Sequence, residues 1–253
     1  MGARLAEHGY VILAPRMVTG FEEGFVRDPD HRATSLLTPE QREIRGVLLD
    51  CYGKEAAKEY LPGTRARGYL DRICRTIGRT LMGAESFALS RCIDLLQGLP
   101  EVDPARIGMY GVSQGGKCTM WLSALDTRIA VGVSCVFFNS RLEKQIIPSE
   151  GNSTFLLCCE EEHLYPLLRE FADSDMGSLV CPRPFAVEAG LHDDSCHPEL
   201  VRKAFAEMRA FYDKLGIPER CQLFMHEGIH EIEPREQIAD TAATKFLDKW
   251  LKK

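Results

Sequence analysis

The sequence predicts an α/β protein with a mostly parallel sheet flanked by helices. Short apolar runs alternate with longer stretches of helical periodicity, which is typical of βα units, and the 253 residues are enough to bury a core without disulfides. Five apolar runs are predicted to be strands: Tyr10–Ala14, Arg106–Val112, Ala130–Phe138, Phe185–Ala189 and Gln222–Met225. Four longer stretches are predicted to be helices: Glu85–Leu96, Gly116–Leu125, Pro198–Leu215 and Glu236–Leu251.

The last of these helices has a clear apolar face. Phe246 and Trp250 are spaced i, i+4, and so are Leu247 and Leu251, which places all four on one side of a helix. Lysines follow at the carboxyl end, where the helix dipole is negative. We expect this helix to cover the sheet from one side.

Residues 21–84 interrupt the alternation of strands and helices. Thr38 followed by Pro39 is typical of a helix start, and Gly63 and Gly68 interrupt what comes next. We therefore expect a helical excursion beside the sheet. No internal repeat or low-complexity linker marks a boundary, so residues 1–253 are predicted to form a single domain.

The composition excludes several classes of protein. With 45% hydrophobic residues, 27% charged residues and a net charge of −6, the chain is not of the disordered class. The negative charge and the lack of a basic run argue against nucleic acid or an anionic membrane surface as the partner. No apolar run reaches the roughly 20 residues of a transmembrane helix. A small-molecule substrate is expected, and the sequence leaves the oligomeric state open.

The cysteines indicate the compartment. There are ten, they are scattered, and they include the adjacent pair Cys158 and Cys159, which is typical of reduced, buried thiols and not of a disulfide framework. The chain also begins without the charged start and apolar run of a signal peptide. These features predict a soluble, cytoplasmic protein.

The motif richest in chemical information is Gly111-Val112-Ser113-Gln114-Gly115, which matches G-x-S-x-G between a predicted strand and a predicted helix. In this setting the serine sits on a sharp turn that exposes its hydroxyl, and small residues two before and two after allow the turn to close. We interpret Ser113 as a nucleophile, with Gly111 and Gly115 as the small residues. The backbone N–H of Gln114, at the helix N-terminus, would face a developing oxyanion.

Two later loops offer a base and an acid. His230 follows the strand at Gln222–Met225, and Asp193 and Asp194 follow the strand at Phe185–Ala189. Both loops would leave the carboxyl ends of parallel strands, where ligands bind in open α/β sheets. Asp193 is favoured over Asp194 because it lies three residues after the glycine that opens the turn. Glu188 lies within its strand and is predicted to be a buried structural carboxylate.

A second motif competes for His230. His226-Glu227-Gly228-Ile229-His230 matches H-E-x-x-H, the zinc-protease signature, which places both imidazoles on one face of a helix. The segment before it looks like a strand, Gly228 disfavours a helix, and a proline follows at position 234. A zinc site is therefore not predicted, and no metal ion or cofactor is expected.

Together these motifs resemble the α/β-hydrolase superfamily, and within it the bacterial esterases grouped with acetyl xylan esterases and dienelactone-hydrolase-like proteins. The resemblance spans roughly residues 3–253 and implies an α/β-hydrolase fold with Ser113 as nucleophile, His230 as general base and acid, and Asp193 as the orienting acid. Dienelactone hydrolases use a cysteine nucleophile, so a serine favours ordinary ester chemistry.

The sequence differs from the family pattern at its N-terminal side. Ala3–His8 and Gly9–Pro15 resemble the family's first helix and fourth strand, so its first three strands, and the loop that supplies a second oxyanion N–H, have no counterpart. Either the fourth and fifth strands pair directly, or the chain is part of a longer protein. Loss of one oxyanion donor typically lowers the rate about 100- to 1,000-fold.

Three hypotheses about function follow. The first is a serine hydrolase of carboxylic esters with an acetyl or similarly small acyl group, acting through an acyl-enzyme. The second is a non-catalytic, hydrolase-like binding protein or an inactive fragment that lacks the oxyanion loop. The third is a zinc metalloprotease, which the helix requirement disfavours.

Overall fold

The structure is a computed structural model that describes residues 1–15, 73–146 and 170–252. The chain divides into two compact units, one made of Met1–Ala14 with Ala84–Lys253 and the other of Pro15–Gly83. Most of the predicted helical excursion at residues 21–84 lies outside the described residues. That excursion and the single domain stay predictions.

The first unit is built on four parallel strands in the order β1-β2-β3-β4. They are β1 (Ile107–Val112), β2 (Ile129–Cys135), β3 (Phe185–Gly190) and β4 (Cys221–His226). Every pairing between neighbours is parallel, and the two inner strands are almost wholly buried. Short apolar segments of this kind suit an interior sheet covered on both faces. The predicted α/β class and four of the five predicted strands are confirmed.

Seven α-helices have both ends within the described residues, together with short 3₁₀ turns at Pro218–Arg220 and Ile238–Asp240, and residues 73–76 are also helical. The seven helices are α1 (Gly2–Glu7), α2 (Leu81–Gln97), α3 (Gln114–Leu125), α4 (Arg141–Ile146), α5 (Asp173–Ser178), α6 (Pro198–Lys214) and α7 (Ala242–Leu251). Helix α3 connects β1 to β2, and α6 connects β3 to β4. Among the described helices, none is both long and apolar enough to cross a membrane.

Side chains of strand β2 alternate between the two faces of the sheet, and each face is covered by a different helix. Val131 and Val133 pack with residues of α7, whereas a Cβ at Gly132 would lie 2.6 Å from the Ser123 hydroxyl of α3. Because neighbouring residues of a strand point to opposite faces, α3 and α7 cover opposite sides. Gly132 therefore lets α3 approach the sheet closely.

Helix α7 buries the face that its spacing predicts. Phe246, Leu247 and Leu251 are buried against β2 and β3, and Trp250 contacts Phe246 edge to face. The helix begins at Ala242, not at the predicted Glu236. The Thr241 hydroxyl accepts the Thr244 N–H and caps the helix, so residues just before it form a turn.

The predicted strand at Tyr10–Ala14 is wrong. These residues follow helix α1 and pair with none of the four described strands. Val11, Ile12 and Leu13 are exposed. The Tyr10 hydroxyl donates instead to Asp248 of α7 at 2.6 Å. An apolar run becomes a strand only when another strand pairs with it, and this side-chain contact holds the segment to a helix.

Strand β2 ends earlier than the predicted Phe138. Val136 has a φ of 46°, a left-handed conformation that is costly for a β-branched residue and that turns the chain out of the ladder. Its N–H still donates to the Glu188 carbonyl at 2.8 Å, and Val136–Phe138 stay buried. The apolar run therefore continues past the strand because it is core, not because it is sheet.

The reduced state predicted for the cysteines stays a prediction. Seven cysteines are free in the described residues, and four of them are buried. Cys158 and Cys159 lie outside the described residues.

A polar cluster stabilises the carboxyl end of α3. Asp126 accepts hydrogen bonds from the Arg128 guanidinium at 2.6 Å and from the Ser90 hydroxyl at 3.0 Å. The bonds from Arg128 outweigh partial burial and lower the pKa of Asp126 to about 2. A carboxylate that is easier to ionise in the folded protein than in the unfolded chain stabilises the fold only while it is ionised.

We predict that Asp126→Asn lowers the free energy of unfolding at pH 7 by about 1 kcal/mol, a value that allows for solvent screening. The stabilisation is complete above the unfolded pKa near 4 and is lost as the pH falls toward 2, so the difference from the parent chain should shrink over that range. Urea denaturation at pH 7, 4 and 2.5 measures it. The control is Asp213→Asn, which removes an exposed i, i+4 pair with Arg209. A pH-independent difference would contradict the prediction.

Candidate active site

Ser113 lies on the tight turn between β1 and α3. Its backbone has φ 55° and ψ −116°, a conformation that costs a non-glycine residue of order 1–3 kcal/mol. Two backbone bonds hold it: the Ser113 N–H donates to the Cys135 carbonyl at 2.9 Å, and the Ser113 carbonyl accepts the Lys117 N–H at 3.0 Å. The end of β2 and the first turn of α3 therefore impose the strained turn that the motif predicts.

The glycines of this turn have different steric roles. A Cβ at Gly111 would lie 2.1 Å from the Gly115 carbonyl oxygen, so only glycine fits there. A Cβ at Gly115 would meet nothing within 4 Å. A side chain at position 115 would therefore not prevent the turn from closing, contrary to the sequence-based expectation. Gly116, which lies just outside the G-x-S-x-G motif, would place a Cβ 2.6 Å from the Cys135 carbonyl oxygen. Close approach of α3 to β2 therefore depends on Gly116.

The structure brings Ser113, His230 and Asp193 together from three loops. His230 Nε2 lies 2.9 Å from the Ser113 Oγ, and His230 Nδ1 lies 2.8 Å from Asp193 Oδ2. The Asp193 side chain is only 1% exposed, and that of His230 is 38% exposed. A carboxylate on one ring nitrogen and a hydroxyl on the other is the arrangement by which a histidine activates a serine.

Asp193 accepts several hydrogen bonds within its own loop. The Ser195 N–H, the Ser195 hydroxyl and the Cys196 N–H all donate to Oδ1, at 2.8, 2.8 and 3.0 Å. Burial opposes ionisation, but the bonds from His230 and Ser195 outweigh it and lower the pKa of Asp193. Asp194 is exposed, so the geometry favours the first of the two aspartates.

The same contacts set the state of His230. The bond to Asp193 is the main cause that raises the pKa of the imidazole, and the Cys196 thiol adds to it, against the opposing effect of burial. When the ring is neutral, an ionised Asp193 accepts from Nδ1–H, which leaves the Nε2 lone pair to accept the Ser113 hydroxyl proton. This tautomer is the one that a general base requires.

Ser195 is a site residue that sequence reasoning missed. Its hydroxyl oxygen lies 2.8 Å from His230 Nδ1 and 2.8 Å from Asp193 Oδ1, so it touches the base and the acid together. The signal was present: a serine two residues after an aspartate, in a loop, commonly closes a local turn with that carboxylate.

The acid and histidine loops converge because the pairing of β3 with β4 continues beyond the strands. Leu191 N–H donates to the His226 carbonyl at 2.8 Å, and His192 N–H donates to the Gly228 carbonyl at 3.1 Å. A Cβ at Gly190 would lie 2.2 Å from the Ile229 carbonyl oxygen. Glycine at position 190 therefore lets the two loops touch.

Glu188 anchors the chain that follows His230. It accepts the Tyr110 hydroxyl at 2.5 Å and the Glu233 N–H at 2.6 Å, and burial raises its pKa. The prediction of a buried, hydrogen-bonded structural carboxylate is confirmed. Because Glu233 lies three residues beyond His230, this contact limits how far the histidine loop can move.

Gln114 is the first residue of α3 and directly follows Ser113. Its backbone N–H therefore lies at a helix N-terminus, where peptide dipoles favour negative charge. Its side-chain amide donates to Glu85 at 3.4 Å. The role of the Gln114 N–H as an oxyanion donor stays a prediction.

The zinc-protease interpretation does not fit this geometry. His226 ends β4 and His230 lies in the loop after it, so the two imidazoles do not share a helix face. Both ring nitrogens of His226 are engaged: Nδ1 accepts the Gly228 N–H at 3.0 Å, and Nε2 contacts the Glu231 carbonyl at 3.1 Å. The residues present therefore lack the ligand arrangement of that motif.

Comparison with known proteins gives similarity to esterases and to a hydrolase. A family model described as glucuronyl esterase, fungi, matches residues 70–136, which is less than half of the chain. YtaP, a presumed hydrolase of Bacillus subtilis (strain 168), is 29% identical over 178 residues. That alignment covers 69% of this chain and 56% of YtaP.

Solved structures agree on the fold. A carbohydrate esterase family 15 glucuronoyl esterase from Caldicellulosiruptor kristjansonii matches with a TM-score of 0.56 and 23% identity, over 69% of this chain and 51% of that chain. The glucuronoyl esterase catalytic domain from Hypocrea jecorina matches with a TM-score of 0.53 and 18% identity, over 69% and 52%. The chain thus spans little more than half the length of these relatives.

The comparisons and the parallel sheet together establish the coarse resemblance that the motifs indicated. The finer likeness to acetyl xylan esterases and dienelactone hydrolases stays a prediction. The first unit of this chain has the α/β-hydrolase fold, and the two solved structures described above are esterases of that fold.

Proposed function

We propose that this chain is a serine hydrolase of carboxylic esters. The observation that carries the proposal is the continuous hydrogen-bonded path from Ser113 Oγ through His230 to Asp193. The strained backbone at Ser113 supports it, because such strain is concentrated at functional sites. The likeness to esterases agrees with the same chemistry.

The reaction would proceed in two halves. The Ser113 Oγ attacks the ester carbonyl while His230 Nε2 takes the hydroxyl proton, and the resulting oxyanion faces the Gln114 N–H and the N-terminus of α3. The imidazolium then protonates the departing alcohol and leaves an acyl-serine. A water molecule, activated by the same imidazole, releases the carboxylic acid and restores the serine.

Asp193 would act through electrostatics and orientation. Its ionised carboxylate holds His230 as the Nδ1–H tautomer and stabilises the imidazolium that forms when the proton leaves Ser113. Three donors from its own loop keep that carboxylate in place while His230 changes charge. A fixed negative charge is most useful in a site that excludes water, and the Asp193 side chain is almost fully buried.

Two classes of ester are candidate substrates. The resemblance to acetyl xylan esterases implies an acetyl or similarly small acyl ester, whereas the two matched structures described above are glucuronoyl esterases, whose name points to esters of a uronic acid. We propose an ester of a uronic acid as the physiological class, with acetyl esters as accessible test substrates. Hydrolysis of methyl glucuronate and of p-nitrophenyl acetate by the same preparation compares the two.

We predict that Ser113→Ala abolishes both fluorophosphonate labelling and hydrolysis of p-nitrophenyl acetate, with a loss of at least about 1,000-fold, because no other hydroxyl faces His230 Nε2 among the described contacts. The control is Ser178→Ala on α5, whose hydroxyl donates to the Ser174 carbonyl at 2.6 Å. A folded parent chain that is neither labelled nor active would favour the non-catalytic binding protein instead.

Asp193→Asn should lower kcat about 1,000- to 10,000-fold, because an amide at this position favours the wrong tautomer of His230. Asp194→Asn is the matched control, since it makes the same chemical change on the exposed neighbour, and it should stay within a few-fold of the parent. Steady-state kinetics on p-nitrophenyl acetate measures both. Equal losses in the two variants would refute the assignment of Asp193.

For Ser195→Ala we expect kcat to fall about tenfold with KM little changed, because the hydroxyl orients His230 and Asp193 without reaching the substrate. Ser195→Thr retains a hydroxyl and should recover part of the loss. A change in KM alone, or no recovery by threonine, would show that Ser195 does not position the pair.

A further inference from the structure

The loop that carries the acid also brings a thiol to the base. One donor atom each from Asp193, Cys196 and His230 lie within 4.8 Å of one another. Carboxylate oxygen, thiolate sulfur and imidazole nitrogen are the three kinds of ligand that Zn²⁺ takes in proteins. The esterase chemistry proposed above uses the carboxylate and the imidazole but has no use for the thiol.

The spacing of the cluster suits a tetrahedral ion. Bond lengths of about 2.0–2.3 Å place neighbouring ligand atoms about 3.3–3.7 Å apart. The Asp193–His230 pair, now 2.8 Å apart, would open slightly to receive a cation, and the thiol already lies within 4.8 Å of both. All three residues lie in loops beyond the ends of β3 and β4, where such adjustments do not disturb the strand pairing.

Burial and access also favour an ion here. Asp193 is 3% and Cys196 1% exposed, so a bound cation would meet little competing water on that side. The His230 side chain, at 38% exposure, gives solvent a way to the cluster. This set differs from the H-E-x-x-H pattern because it excludes His226, whose ring nitrogens are both engaged by the backbone.

We propose that Asp193, Cys196 and His230 form an inhibitory site for Zn²⁺ or a similar thiophilic divalent cation. The ion replaces the proton between His230 Nδ1 and Asp193, and water completes its coordination. The Cys196 thiol proton passes to solvent, and the proton displaced from His230 Nδ1 moves through solvent to Nε2. An Nε2–H imidazole cannot accept the Ser113 proton, so binding stops hydrolysis; this last step rests on the proposed esterase function.

The ligand set also specifies which ions should bind. Thiolate and imidazole favour Zn²⁺ and related transition metals, whereas Mg²⁺ and Ca²⁺ take oxygen ligands and larger coordination shells. The two hard cations are therefore the negative controls.

Binding is tested without reliance on activity. Isothermal titration of ZnCl₂ into the Ser113→Ala chain, kept reduced by a phosphine, should show one binding site. The zinc affinity of that site should fall at least tenfold when the chain also carries Cys196→Ala. Cys196→Ser is the second variant, since it nearly keeps the side-chain volume, and thermal melts confirm folding. Co²⁺ should give a thiolate charge-transfer band that both variants lose. Cys92→Ala on α2 is the matched thiol control and should bind as the parent does.

Inhibition is tested with the active chain. Zn²⁺ should reduce p-nitrophenyl acetate hydrolysis, and EDTA should restore it. Cys196→Ala should raise the half-inhibitory concentration of Zn²⁺ at least tenfold. The rate of each chain is compared with the rate of the same chain without metal. Unchanged zinc binding in both Cys196 variants, or no binding by the parent, would overturn the site. Cys196-dependent binding by a chain that hydrolyses no ester would uphold the site and defeat only the proposed function.

Discussion

The candidate site depends on one constraint, the parallel pairing of the four described strands. Parallel strands end at the same edge of a sheet, so the segments after β1, β3 and β4 all emerge together. Ser113, Asp193 and His230 are each carried by one of those segments, although 117 residues separate the serine from the histidine. Without this pairing the three side chains would have no reason to meet.

Polar groups held behind the site add the finer positioning. The backbone bonds that extend β3 and β4 past their ends bring the acid loop against the histidine loop, and Glu188 holds the chain beyond His230 through the Glu233 N–H. The acid itself is fixed by donors from its own loop. Buried carboxylates are stable only when such donors are present, and here those donors also define the geometry that general-base chemistry requires.

If both proposals hold, the acid loop would serve two kinds of chemistry with the same atoms. A carboxylate that faces an imidazole Nδ1 can hold a proton for catalysis or, with a thiol added, can hold a metal ion that takes the place of that proton. Cys196 makes the difference, because its backbone N–H supports Asp193 while its thiol lies near His230. A site of this kind would link ester hydrolysis to the free concentration of thiophilic metal.

Local patterns in the sequence determined much of this protein. The α/β class, four of the five strands, the apolar face of α7, the strand-to-helix turn at Ser113 and the buried role of Glu188 follow from periodicity and turn chemistry, which act over a few residues. The tertiary structure decided what depends on partners distant in the chain. Tyr10–Ala14 is apolar enough for a strand, but its tyrosine binds helix α7 through Asp248. Glycine is required at positions 116 and 190 because backbone atoms of other segments lie too close for a side chain. Ser195 lies in the acid loop and contacts His230 in the histidine loop. Contacts of this kind exist only once the chain has folded, because hydrogen bonding and steric exclusion act between neighbours in space.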